Sequence, residues 1–374
     1  MGDTALRRAL RPAARSVRKA QALYRNALLR AGGRAPSGEV RVAYGHTSIP
    51  ESNDAALGGI VKLQSLRQVF PPSRRFNVLY LVTSNLPHEA VSLARAARQT
   101  GARVVVNQNG VAYHAWFGPG WERINEPMAQ LLQLADHVFY QSTFCKMSAD
   151  RFLGEPVGPS EVLYNAVDTE RFRPEPARRD RSNLTVLLGG TQSAFYRVEA
   201  ALQVVARVAA TRPDVRLLIS GELRWGPTGI ESRSIVTSRA QQLGVLERVE
   251  LLGPYSQAEA PGIFQRADLL LHTKYNDPCP AVVLEAMASG LPVVFSASGG
   301  VPELVGADAG IGIPADLDWE RDRPPDPSAM AAAVLRVAEN REALSSAARQ
   351  RAVAKFDVRP WLDRHQQVFE SLVK

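Results

Sequence analysis

The sequence predicts an α/β protein of two doubly wound, Rossmann-like domains facing a central cleft. Three observations carry that expectation. The chain has 374 residues, too many for one ordinary hydrophobic core and suited to two domains. From Val40 onward, short β-branched runs alternate with helical patterns, as parallel βαβ units require. A stretch rich in proline and charge, "RFRPEPARRDRSN" (171–183), interrupts the alternation, which then begins again.

In chain order, Val40–Tyr44 reads as the first strand, followed by a polar loop and a helix through Leu57–Val69. Val78–Val82 is the next strand. Pro87 stands where a first helical turn tolerates proline, and that helix runs to about Arg98 before Gly101. Val104–Val106 and His137–Tyr140 extend the first sheet. After the linker, strands are expected at Thr185–Leu188, Leu217–Ser220, Val249–Leu252, Leu269–His272, Val293–Phe295 and Ile311–Ile313. The clearest helical patterns between and after them are Val198–Ala210, Ala281–Ser289 and Ala329–Glu339. The division is an arm over 1–34, a first domain over 35–175 and a second over 176–355.

Charge becomes informative once it is located. The formal net charge is +8, and residues 1–34 hold nine of the Lys and Arg against one acid, Asp3. Nine minus one is the whole excess, so the body is neutral and a nucleic-acid groove across it is not expected. Between Pro12 and Gly32-Gly33 the arm reads as a basic amphipathic helix, with Ala13, Val17, Ala20, Tyr24, Ala27, Leu28 and Ala31 on one face. That pattern predicts contact with an anionic membrane surface. Its apolar stripe is mostly alanine, and a disordered tail or a segment packed on the first domain are the competing readings. No apolar run reaches the ~18 residues of a membrane span, and no signal-peptide core stands at the N-terminus. The two cysteines, Cys145 and Cys279, make neither a disulfide framework nor a zinc ladder. The expected location is the cytoplasm, with the arm on the inner face of the membrane.

In open α/β sheets, ligands sit beyond the carboxyl ends of the strands. Three loops of the second half occupy such places. In "LLGGTQSAFYR" (187–197), Gly189-Gly190 follows a strand and Arg197 opens a helix, a pattern that suits a phosphate. Taken alone, the glycines read more simply as a plain tight turn. The turn Gly253-Pro254-Tyr255 in "LLGPYS" (251–256) could hold a nucleobase edge. In "NDPCPAVVLEAMASGLPVV" (276–294), Asp277 precedes a helix that carries Glu285 about one turn inside it. Two carboxylates at different depths are natural acceptors for vicinal hydroxyls, and the Ala281 and Val282 N–H groups would point from the helix start toward an anion. On spacing alone, Glu285 as a surface helix residue and Asp277 as a dipole-favoured charge remain an even alternative.

The same stretch, with "RADLLLHT" (266–273) before it and "SGGVPELV" (298–305) after it, resembles the retaining glycosyltransferases of family four, which have the two-domain GT-B fold. That family's motif is a glutamate, seven residues and a second glutamate, followed by an Ala-rich helix and Gly-Leu-Pro-Val. Asp277 takes the first position and Glu285 the second. "YNAVDTERF" (164–172) is similar to the family's linker-proximal segment, and 356–374 to its final helix, which crosses back onto the first domain.

The resemblance implies that Glu285 binds ribose hydroxyls of a nucleotide sugar, that Asp277 lies near the donor sugar, and that the Ala281 and Val282 amides and Arg197 lie by the diphosphate. Gly189, Gly190, Gly253, Pro254 and Tyr255 complete the donor side. Three departures stand out: Asp277 is one methylene shorter than glutamate, Pro280 removes a backbone donor, and Asn109 in "NQNG" (107–110) replaces a histidine. His46, Gly58, Gly59 and His114 are the remaining acceptor-side candidates.

The expected function is therefore transfer of a sugar from a nucleotide-sugar donor to a hydroxyl of a glycan or lipid-linked glycan, with retention, Asp277, Glu285 and Asn109 being the catalytic candidates. No metal or other cofactor is expected, because the six histidines lack ligand spacing. "DLD" (316–318) reads as a solvated turn. There is no Gly-x-Ser-x-Gly elbow and no Walker lysine motif. The alternative is a catalytically degenerate member that binds sugar or serves as a scaffold.

Overall fold

The structure is a computed structural model, and it describes residues 38–46, 48–51, 58–175, 183–226 and 228–374. The amphipathic arm, residues 47 and 52–57 and the centre of the 171–183 linker lie outside the described residues.

The first sheet is parallel and runs β1 (Val42–Ala43), β2 (Val78–Val82), β3 (Arg103–Gln108), β4 (His137–Tyr140), β5 (Ser160–Val162), neighbours in that order. Its helices are α1 (Gly58–Val69), α2 (Ala90–Gln99), α3 (His114–Phe117), α4 (Trp121–Leu134) and α5 (Thr143–Phe152). Every residue of β2 and β4 is buried, as expected for strands covered by helices on both faces. β1 is shorter than its apolar run because the Arg41 N–H donates to the Asn77 side chain at 2.9 Å instead of entering the ladder. Pro87 does not open the second helix: α2 begins at Ala90, after Glu89 in the left-handed region at φ 61°, and the Ala90 N–H donates to the Pro87 carbonyl.

The second sheet is also parallel, in the order β11-β10-β9-β6-β7-β8. Its strands are β6 (Thr185–Leu188), β7 (Arg216–Ser220), β8 (Val249–Gly253), β9 (Leu269–His272), β10 (Val293–Ala297) and β11 (Gly310–Pro314). The helices are α6 (Phe195–Ala209), α7 (Gly229–Gln242), α8 (Ala260–Gln265), α9 (Ala281–Ala288), α10 (Val301–Val305), α11 (Pro327–Glu339), α12 (Arg341–Phe356) and α13 (Val358–Val373). From β6 the chain moves outward through β7 and β8, then crosses to β9 on the other side of β6. The β6/β9 boundary is thus a topological switch point, where loops diverge and leave a crevice.

Helix α13 leaves the second sheet and packs on the first. Trp361, Val368 and Phe369 share a buried cluster with Tyr44, Phe70, Val78, Tyr80 and Phe139. His365 Nε2 stands 3.0 Å from the Tyr80 hydroxyl.

Other links join the two halves around the 276–280 loop. Ser142 Oγ donates to Pro278 O at 2.7 Å, and Asn165 Nδ2 donates to Cys279 O at 2.6 Å. Glu303 accepts from the Thr143 and Phe144 N–H groups at 2.7 and 2.8 Å, a carboxylate of one half on the helix N-terminus of the other. The "DLD" segment is a solvated turn, with Asp316 and Leu317 exposed and Asp318 Oδ1 accepting from the Glu320 and Arg321 N–H groups, and it is also anchored across the halves. The Tyr275 hydroxyl donates to Asp316 O at 2.6 Å, the Asp318 N–H reaches the Tyr275 hydroxyl at 2.7 Å, and Trp319 stacks on Phe144 and meets Tyr113 edge-on. Residues 316–319 bridge the halves.

Candidate active site

Between the carboxyl ends of the two sheets lies a cavity of about 650 Å³. The donor-side wall begins at the β6–α6 loop. A Cβ on Gly189 would come within 2.7 Å of Val282 Cγ2, so only glycine lets this loop touch the start of α9. Gly190, at φ 83°, turns the chain, and Gln192 Nε2 donates to its carbonyl at 2.8 Å. Arg197 follows on α6. Its guanidinium is buried, Nη1 donates to Thr191 O at 2.8 Å, and Nε has no protein partner. Burial lowers its proton affinity, opposed by Asp277 and Tyr196. A buried arginine with an unused donor at a cavity wall is suited to an anion.

The 276–280 loop is fixed from below. Asn276 adopts the left-handed region at φ 49°, which asparagine tolerates, and its N–H donates to Ser298 Oγ at 2.8 Å. The Gly300 N–H donates to Asp277 O at 2.9 Å, and a Cβ on Gly300 would stand 1.9 Å from Pro278 O. Pro280 is the N-cap of α9 without a side-chain cap, and its carbonyl accepts from Val283 N at 3.1 Å. The Ala281 and Val282 N–H groups belong to the first turn, where a helix offers them no carbonyl.

The two acids sit in contrasting surroundings. Asp277 is buried, with Lys274 Nζ 3.1 Å from Oδ1 and His272 Nε2 3.2 Å from Oδ2. Burial opposes its charge, but Lys274, His272 and Arg197 together hold its carboxyl well below the usual range. Glu285 is equally buried and, among the described residues, has no cation in contact; Gln257 Nε2 donates to Oε1 at 3.3 Å. Burial pushes its carboxyl up to about 7, with Gln257 and Arg171 opposing. One acid is thus kept ionised at all physiological pH while the other takes up a proton near neutrality.

The cavity brings together Asp277, Glu285, Arg197, Gly189 and Gly190 with Pro254, Tyr255, Ala281 and Val282 on one wall, and Gly58, Gly59 and Asn109 on the other. Three expected residues are not among its lining. Gly253 lies behind it, accepting from the Gly221 N–H at 2.7 Å through its carbonyl. His46 is engaged outside the cavity, Nε2 lying 3.0 Å from Asn85 O. His114 is half exposed, with Nδ1 3.2 Å from Glu320 O. The segment before His114 and Trp116 after it do line the cavity, while the imidazole itself is drawn to Glu320.

Sequence reasoning missed His272, Lys274 and Lys62. The first two end or follow a strand expected for its apolar residues, and Lys274 at i−3 from Asp277 was a legible signal. Lys62 lies on an otherwise apolar helix face, buried, with Nζ donating to Asn107 Oδ1 at 2.7 Å and Gln141 Oε1 at 2.9 Å.

Comparison with known proteins bears on this cleft. Residues 168–352 match the family model described as glycosyl transferases group 1. The C-terminal half of the chain belongs to that family. D-inositol 3-phosphate glycosyltransferase of Mycobacterium leprae (strain Br4923) is 36% identical over 150 residues, which are 39% of this chain and 34% of the relative. The Mycobacterium tuberculosis (strain H37Ra) protein of that name is 34% identical, over 39% of this chain and 30% of its own length. The match therefore spans about a third of these curated relatives.

Solved structures cover more of the fold. Sucrose-phosphate synthase from Thermosynechococcus elongatus has a TM-score of 0.65 at 19% identity, covering 79% of this chain and 74% of its own. Anabaena HepE in complex with UDP has a TM-score of 0.63 at 19% identity, covering 79% of each chain. The fold is the GT-B arrangement of these two neighbours. In it the α9 start, the β6–α6 glycines and Arg197 line the same cavity as the two acids, a donor set chemically suited to a polyanion beside acceptors suited to hydroxyls.

Proposed function

We propose that the protein is a retaining glycosyltransferase that takes a nucleotide sugar in the second domain and transfers the sugar to a hydroxyl of an acceptor held against the first. The observation that carries this reading is the convergence, in one cleft, of a helix N-terminus, a buried arginine with a free donor and two buried carboxylates in contrasting surroundings. The α9 amides and Arg197 receive the diphosphate, Glu285 accepts from ribose hydroxyls, and Asp277, held ionised by Lys274 and His272, accepts from hydroxyls of the transferred sugar. The UDP complex of HepE supports a nucleoside diphosphate as the donor's leaving portion.

For retention, the acceptor oxygen attacks the anomeric carbon from the face the diphosphate leaves, and a diphosphate oxygen takes the hydroxyl proton. Asn109 is an amide and cannot act as a base, so the residues supply position and charge rather than proton abstraction. The acceptor is a glycan or lipid-linked glycan, no divalent metal takes part, and the arm over 1–34 brings the protein to an anionic membrane surface.

The test is a panel of UDP-, GDP- and ADP-sugars with the purified protein. Slow release of a nucleoside diphosphate from at least one supports transfer. Binding without release from any of them favours the degenerate, sugar-binding alternative.

A further inference from the structure

The first-domain wall of the cleft contains a lysine with no acid to pair with. Among the described residues no carboxylate forms an ion pair with Lys62, which lines the cavity beside Asn109 and Gln141. Burial pushes its amine down to about 8, opposed by the Cys279 and Cys145 thiols.

Its third neighbour is the amide of Asn109, and the geometry there has two solutions. One terminal atom of that amide lies 2.8 Å from Lys62 Nζ and 2.9 Å from Gln141 Oε1. The other lies 3.1 Å from Asn107 O and 3.5 Å from both Thr83 Oγ1 and Ser84 N. An ammonium has three donors and no lone pair. A charged Lys62 therefore requires Oδ1 at the near position, and Nδ2 then donates to Asn107 O. An amine has a lone pair, so a neutral Lys62 accepts from Nδ2. The second Nδ2 hydrogen goes to Gln141 Oε1, and Oδ1 faces Thr83 and Ser84. Each solution keeps one close approach of oxygens: Oδ1 to Gln141 Oε1 when Lys62 is charged, Oδ1 to Asn107 O when it is neutral. Neither hydrogen-bond set dominates, and the proton on Lys62 decides.

We propose that Lys62 and Asn109 form a proton-linked pair in which the charge on Lys62 sets the Asn109 amide, so that an acceptor hydroxyl can donate to Asn109 Oδ1 only when Lys62 is a neutral amine. Lys62 is then a positioning residue acting through Asn109. The assignment of this wall to the acceptor rests on the function proposed above; the coupling itself does not.

Groups facing Lys62 from the surrounding elements do not compete for the proton. Burial pushes the Cys145 thiol on α5 up to about 11 and that of Cys279 higher still. It pushes the His365 imidazole on α13 down to about 3, and raises the Tyr80 phenol beside Asn107 well above its ordinary value. Between about pH 6 and 10 all four stay neutral, and Lys62 alone in this cluster changes charge.

The test is NMR of the full-length protein, following lysine 13Cε and asparagine side-chain 15Nδ2 signals from pH 6 to 10. The chain has six lysines, and Lys62 is assigned by its absence from the spectrum of Lys62→Arg. The expected result is a titration of Lys62 well below ordinary lysine, with the Asn109 amide shifting at the same midpoint. In Lys62→Arg, which stays charged, the amide does not shift with pH. A Lys62 titration with an unmoved Asn109 amide overturns the proposal, as does a Lys62 that stays charged to pH 9.5. With UDP-sugars, turnover should rise roughly tenfold per pH unit below the midpoint in the wild type and lose that limb in Lys62→Arg. Failure to bind UDP, GDP or ADP would count against the proposed function while leaving the NMR result to decide the coupling.

Discussion

Replacing Glu285 by glutamine should stabilise the free protein and weaken nucleotide binding. Burial raises the Glu285 carboxyl from 4.5 to about 7, which means that the folded state resists the charge. The raised value sets the sign: the native state holds the proton more tightly, so stability is full below pH 4.5 and falls as pH rises through 7. The step from 4.5 to about 7, at about 1.36 kcal/mol for each tenfold change in proton affinity, gives roughly 3 kcal/mol of destabilisation above pH 7.

Glutamine has no charge to bury, and its carbonyl keeps the bond from Gln257 Nε2. For a domain of this size, 1 kcal/mol corresponds to roughly 2–4 °C in Tm, so the variant should melt roughly 6–12 °C higher at pH 8. At pH 4.5 most of the gap should close. Differential scanning calorimetry at the two pH values checks this. An equal Tm difference at both, or a wild type more stable at pH 8, would refute the idea that Glu285 is a strained buried carboxylate.

Other predictions follow from single contacts. Asp277→Asn should lower kcat more than it raises the donor KM, because its proposed contact is with the reacting sugar; equal losses in steady-state kinetics would argue against that role. Glu303→Gln removes the charged acceptor shared by the Thr143 and Phe144 N–H groups. It should cost about 1–3 kcal/mol in denaturant unfolding, and no change would show that the halves do not depend on it. Transfer should survive EDTA. Complete loss on chelation, restored by magnesium or manganese, would contradict the metal-free mechanism.

Legibility followed burial. Val78–Val82, His137–Tyr140, Thr185–Leu188 and Leu269–His272 have the bounds their apolar runs suggest, because strands buried on both faces write themselves as continuous hydrophobic segments. α7 left little trace: only Ser232, Val236 and Ala240 are buried, one residue per turn on a polar helix. α4 carries Pro127 in its interior, which in sequence argues for a break. Within the site, spacing alone left Asp277 and Glu285 even with a surface reading, and they were legible through the resemblance of their segment to the family motif. Lys62 was not, since the amides that surround it arrive from the ends of β3 and β4, and nothing local announces a lysine's burial. Trp319 was missed for the same reason, as its aromatic partners all lie in the other half.

The central claim, that this cleft binds a nucleotide sugar through Glu285 and the start of α9, is tested most directly by calorimetric titration of UDP, GDP and ADP into the wild type and Glu285→Ala. Saturable binding of at least one nucleotide by the wild type is predicted, weakened roughly tenfold or more in the variant, since the ribose hydroxyls lose their buried acceptor at a cost of about 1–3 kcal/mol. Binding that is unchanged by the substitution would remove Glu285 from the site, and no binding of any of the three by the wild type would contradict the account.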